Sequence, residues 1–318
     1  MKAAGWGLLL AASLAGCGVW QVQRPGIPSY RPTTIVQPVV QAPAPAPQTR
    51  TVSAQSAALI SYYARLQSQL VSRGLMRTDG GERDAPFTDT TLANNLLQIA
   101  FYDEYQAQGG ALQARATQSR LRRWAQPISM SVQFGPTTEP AHHVSDRAIV
   151  GGFAAKLSGL TQLPITVGGP NPNFHVLFLT EDDRRASESL LRGLLPSMSD
   201  SSLRYALNLP TEQLCLVIAT FGPDGVTYDR AVAIIRDEHP SLMRLACIHE
   251  ELAQGLGLAN DSPQARPSIF NDDEEFALLT PQDALMLQIL YDRRLRIGMS
   301  EAEAAPIVRY IAASLVDG

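Results

Sequence analysis

Apolar residues at Leu59, Tyr63, Leu66 and Leu70 recur every three or four positions. This spacing predicts an amphipathic helix over residues 53–73, with Ser53 or Ser56 available as its cap. A second helix is expected after Thr88-Asp89-Thr90-Thr91, because Leu92, Leu96, Ile99, Ala100 and Tyr102 repeat at helical spacing until Gly109-Gly110. The period then changes. Ile128, Met130, Val132 and Phe134 alternate with polar or small residues, as a half-buried strand does. Residues 148–160 return to helical spacing, and 174–179 form an apolar strand in which His175 reads as a packed residue. Two more apolar runs, 214–221 and 231–235, flank the turn Gly222-Pro223-Asp224-Gly225 and predict a hairpin. A long helix over 241–258, capped by Ser241 after Pro240, is followed by helices over 281–290 and 300–316. Ser300 and Glu303 have the spacing of a capping box for the last of these. Together the elements predict an α+β domain over 53–318, with a mixed twisted sheet, one long central helix and flanking helices.

The first fifty residues follow no such pattern. Lys2 and an apolar run through Leu8, Leu9, Leu10 and Ala11 lead to Leu14-Ala15-Gly16-Cys17, which predicts a cleavable signal over residues 1–16; the run is too short to span a bilayer. The tetrapeptide resembles the lipobox of bacterial lipoproteins. That resemblance implies acylation of Cys17, and Gly18 after it implies the outer membrane rather than retention in the inner one. The expected location is therefore the cell envelope, lipid-anchored and facing the periplasm. Residues 17–52 read as a tether: seven prolines fall between Pro25 and Pro47, and polyproline II rises about 3.1 Å per residue without building a core.

The chain carries 26 Lys and Arg against 30 Asp and Glu, a net charge of −4, and loses one more positive charge with Lys2. This argues against a nucleic-acid partner. In an oxidising compartment Cys215 and Cys247 are candidates for a disulfide; the alternative is two buried thiols. His142 and His143, beside Pro140 and close to Asp146, read as a surface loop. No phosphate loop, dinucleotide fingerprint or G-x-S-x-G elbow is present.

The candidate chemistry lies on the helix over 241–258. Its core stripe is Leu245, Ile248, Leu252 and Leu256, while Glu250 and Gln254 share a small, polar opposite face. The run from Glu250 to Asn260 resembles the metzincin zinc-protease motif H-E-x-x-H-x-x-G-x-x-H. Glu251 and Gly257 match its glutamate and glycine, whereas Glu250, Gln254 and Asn260 replace its three zinc-binding histidines. Phe270, in Pro267-Ser268-Ile269-Phe270, falls where that family has a turn methionine, and Leu279 to Tyr291 resembles the closing helix of its matrixin branch. The resemblance implies a zincin-like scaffold. The segment from Cys247 through Glu250, Glu251, Gln254, Asn260 and Asp261 to Phe276 is also similar to a bacterial lipoprotein domain family of unknown function.

A carboxylate and two amides suit a hard cation such as calcium or magnesium better than zinc, so Glu250, Gln254 and Asn260 are expected to hold no zinc. On the same helix His249 points about 100° away from Glu250. The acidic run Asn271-Asp272-Asp273-Glu274-Glu275 reads as a solvated loop, with cleft lining or cation binding as the alternative. Two function classes follow. One is a binding or scaffolding lipoprotein with a protease-like groove for an envelope peptide, protein or cell-wall ligand. The other is a hydrolase with an atypical metal site and Glu251 as general base. The first leads, because a lone carboxylate does not replace a cation that acidifies bound water.

Overall fold

The computed structural model describes residues 51–108, 111–271 and 273–316. The signal, Cys17 and all but the end of the tether lie outside them, and the residues from Thr49 onward cluster as one compact unit. Helix α1 (Ala54–Ser72) begins as its spacing predicts, with the Ser53 side chain accepting the Ser56 amide. Helix α2 (Asp89–Ala100) is capped by Thr88 but stops at Phe101. The chain then forms an antiparallel hairpin, β1 (Tyr102–Gln108) and β2 (Ala111–Gln118), where helical spacing extended the helix to the Gly109-Gly110 pair.

The main sheet has the order β4-β3-β5-β7-β6, built from β3 (Ile128–Phe134), β4 (Ile165–Val167), β5 (Phe174–Leu179), β6 (Cys215–Phe221) and β7 (Tyr228–Arg236). β4, β3, β5 and β7 run parallel, and β6 returns antiparallel to β7 as an edge strand, with Val217 opposite Ala233. The expected hairpin is therefore present, and the fold is mixed α+β. β5 is buried along its whole length because both its faces are covered. Phe174, Val176 and Phe178 face a large core that includes Leu252, Leu256 and Met286; Leu177 and Leu179 face a smaller one with Leu191 and Leu203.

Helix α3 (His143–Thr161) lies on the larger core, and α4 (Glu181–Arg185), α5 (Glu188–Leu194) and α6 (Asp200–Leu207) follow β5. The surface loop expected at His142 and His143 is corrected: Pro140 opens a short 3-10 turn that runs into α3. His143 stacks on Phe134 at 3.9 Å, and Asp146 is buried 2.9 Å from Arg244. A proline at a helix start lacks only an amide that would have no intrahelical acceptor, so it initiates the helix here. Glu181 is buried between Arg184 and Arg236 at 2.6 and 2.8 Å.

Helix α7 (Ser241–Gln254) carries the motif. Its N-cap is Pro240 and Ser241 makes no capping bond, so the expected Ser241 cap is corrected; the helix also ends at Gln254 rather than 258. Three anchors fix it. Arg244 binds Asp146 and Asp237, both at 2.9 Å. Cys247 is disulfide-bonded to Cys215 of β6. At the far end a Cβ on Gly255 would meet the Phe174 ring at 2.5 Å, while Trp124 Nε1 donates to the Gly255 carbonyl at 2.8 Å. Gly257 then turns the chain with φ +123°, where a side chain would be 2.5 Å from the Arg122 carbonyl. Helices α8 (Pro281–Leu290) and α9 (Glu301–Val316) close the larger core.

Candidate functional site

The alternation of an antiparallel ladder decides what β6 presents. Val217 donates its amide to the Glu251 carboxylate, so this residue points its backbone groups away from β7. Ala219, two positions on, presents its N–H and C=O to the same side. Below that edge runs α7. Together they border a groove formed by two adjoining cavities. The larger, of about 340 Å³, is lined in part by Arg122, Val217, Ala219, Phe221, Glu251 and Gln254. The smaller, of about 170 Å³, is lined in part by Cys215, Glu250, Asp261 and Glu274; Glu104 and Gln213 belong to both. β1 follows α2 and β2 packs against α6, and Asp103 and Glu104 of β1 line the wall of the groove.

Glu251 is buried, and its Oε2 makes no hydrogen bond. Burial, followed by the charges of Glu104 and Asp261, pushes its carboxyl well above the usual range, against the opposing effect of the Val217 amide. Glu250 is raised in the same direction by burial and then by Glu251, Asp261, Glu274 and Glu104. The pair is therefore driven toward the neutral form unless a cation compensates it. The Cys215 sulfur lies 3.8 Å from Glu250 Oε2, but as half of a disulfide it has neither a proton to give nor a thiolate to bind a soft metal.

The structure brings Glu250, Glu251 and Gln254 to the groove, as the helix spacing implies. Asn260 returns beside α2 instead: its amide nitrogen donates to the carbonyls of Gln98 and Asp261 at 3.0 and 2.8 Å. The residue that reaches back to the motif helix is Asp261, whose Oδ1 accepts from Gln254 Nε2 at 3.3 Å. Phe270 is fully buried in the larger core, and the Asp283 carboxylate accepts from Ser268 and Ile269 just before it. His249 turns into the protein, stacked on Phe153 at 4.0 Å, and its Nδ1 accepts the Leu279 amide. Burial lowers its pKa to about 4, so it stays neutral.

By sequence Asp261 is named only within the family resemblance, and Glu104 not at all. Asp261 sits one position past the motif, and Glu104 fell in a stretch read as helix. Glu274 belongs to the acidic run, where it does line the groove, while Glu275 pairs with Arg77 and Arg266. His175 is packed as expected, with Nδ1 2.8 Å from Ser131 Oγ. It also lines a separate cavity of about 430 Å³ with Trp124, Asn173 and Arg230.

Residues 89–310 match a family described as "Protein of unknown function (DUF2927)". No curated protein and no solved structure matches the chain.

Proposed function

The chain belongs to this family of unknown function, and from that premise we propose that it is a lipid-anchored envelope protein whose β6–α7 groove binds an extended peptide, on a protease-like scaffold without zinc. The observation that carries this reading is the edge strand. β6 turns the Val217 carbonyl and the Ala219 N–H and C=O toward a groove whose wall includes Asp103 and Glu104 of β1, and an incoming strand gains affinity from such edge groups regardless of its side chains, the Val217 amide being taken by Glu251. A protease-like ancestry is supported by the positions of Glu251, the Gly257 turn and buried Phe270 relative to α7. Absence of zinc is supported by oxygen donors at Glu250 and Gln254 and by the outward bonding of Asn260. The disulfide fits an oxidising compartment and so supports the envelope, where the lipobox-like sequence ending at Cys17 would place the protein at the outer membrane.

A second reading, a hydrolase with Glu251 as general base, is supported by the unpartnered Glu251 oxygen at the groove. One experiment separates the two. The full-length protein in detergent is incubated with a random decapeptide library, and retained and cleaved peptides are identified by mass spectrometry. Binding predicts intact retained peptides whose capture is lost when alternate peptide amides are N-methylated, and lost again in Ala219→Pro. Cleavage abolished by Glu251→Gln would establish the hydrolase. Retention no greater than on an unrelated lipoprotein would overturn the groove reading.

A further inference from the structure

Glu250 and Glu251 are successive residues of α7, yet both carboxylates turn to the same place. They each bring an oxygen to a cluster whose ligand atoms, Cys215 Sγ included, lie within 4.8 Å of one another. An ion of the magnesium type, about 2.0–2.1 Å from each oxygen, joins oxygens up to about 4.2 Å apart, a separation that the 4.8 Å limit of this cluster includes. Four further carboxylates, Glu104, Glu212, Asp261 and Glu274, border the smaller cavity that Glu250 lines. Crowded acids alone are common on protein surfaces. What distinguishes this cluster is Glu251, which is 2% exposed and keeps Oε2 without a hydrogen-bond partner at the groove. A buried lone carboxylate oxygen loses its hydration with nothing in return, which disfavours the charged form. The largest charge effects on the pair are acidic, from Asp261, Glu104 and, on Glu250, Glu251 and Glu274, while Arg122 in the adjoining larger cavity is paired with Asp103.

We propose that Glu250 and Glu251 bind a hard, hydrated divalent cation of the magnesium or manganese type, with Glu104, Asp261 and Glu274 holding its coordinated waters. Magnesium keeps several waters and is commonly held by one or two carboxylates, which is what this geometry offers; calcium asks for six to eight oxygens at longer distances. Soft ions are disfavoured because the only sulfur in the cluster is tied in the disulfide. The arrangement differs from the spacing-derived set: Glu251 becomes a ligand, Asp261 takes the outer position, and Asn260 takes no part. Bound there, the ion would cancel the charge of the pair and place polarised waters at the groove below Val217.

Manganese serves as the probe. Full-length protein in an uncharged detergent is titrated with Mn²⁺ at pH 7.5, and the free-ion signal is followed by electron paramagnetic resonance without any peptide. The expected result is one equivalent bound and displaced by excess Mg²⁺. Glu250→Gln and Glu251→Gln should each weaken binding by about 100-fold or more, while the milder rim changes Asp261→Asn and Glu274→Gln cost roughly tenfold. The rim variants keep the test decisive if a floor variant misfolds. A free-ion signal unaltered by equimolar protein, or binding untouched by the four substitutions, overturns the site. The inference does not depend on the peptide reading: this titration contains no peptide, and peptide capture is repeated with a chelator present, so either can fail alone.

Discussion

Glu181 and Glu251 show how neighbouring charge decides the state of a buried carboxylate. Both are almost fully buried. Burial alone would raise the pKa of Glu181, but hydrogen bonds from Arg184 and Arg185 and the charges of Arg184 and Arg236 outweigh it and hold the group at about 2. Glu251 has acids beside it instead and moves the other way. Arg236 also donates to the carbonyls of Leu209 and Pro210, so Glu181 indirectly fixes the segment that leads into β6. Glu181→Gln should cost about 3–5 kcal/mol, because it strips the partner from two buried guanidiniums. The pH dependence has a definite sign. A depressed carboxyl contributes stability that is complete above its unfolded value near 4.5 and is lost as pH falls through about 2. Urea unfolding between pH 5 and 2 should therefore show a steeper loss for the wild type than for the variant; parallel curves would remove Glu181 from the account.

At the scale of elements, the disulfide joins the two walls of the groove, the edge strand through Cys215 and the motif helix through Cys247. Its partners are 32 residues apart, and closing a loop of that length typically contributes about 2–4 kcal/mol by restricting the unfolded chain. The double change Cys215→Ser, Cys247→Ser should lower the unfolding free energy by that amount and make it insensitive to dithiothreitol. Equal stability of the two proteins in the absence of reductant would show that the bond adds nothing. The elements that form this wall were legible because their apolar residues repeat cleanly: 174–179, 214–221 and 231–235 correspond to strands, and the stripe through Ile248 and Leu252 to α7. The β1–β2 hairpin was not. Tyr102 and its neighbours carry few apolar residues, so Gly109-Gly110 reads equally well as a helix stop. β4 has three residues and α4 five, too few for any period to appear. The candidate site was legible only as far as helix geometry reaches, to Glu250, Glu251 and Gln254. Beyond Gln254 the chain's course depends on the left-handed turn at Gly257, and the return of Asp261 in place of Asn260 is a property of that turn.

For the whole molecule, attachment and folding are separable on the reading that Cys17 carries lipid. No helix among the described residues is long and apolar enough to cross a membrane, and the cores of the described residues are built from elements between α1 and α9. Membrane affinity on this reading resides in acyl chains on one residue, each buried methylene contributing about 0.8 kcal/mol, so that one chain holds weakly and several hold lastingly. Cys17→Ser removes the sulfur on which the first of those chains would be placed. It should abolish incorporation of labelled palmitate and leave an uncleaved or mislocalised precursor, because processing of such a signal follows acylation of its cysteine. The domain itself should be unaffected: Ser53, its first helix cap, lies well beyond the change, and the variant's thermal transition should match the wild type's. Cell fractionation with palmitate labelling checks the first outcome, and calorimetry of the purified precursor checks the second. A Cys17→Ser protein that is still processed, still labelled and still partitions into detergent would place the anchor elsewhere and remove the lipobox from the argument. Loss of labelling together with a lowered melting temperature would instead show that the tether contributes to the fold, contrary to a domain that begins at residue 53.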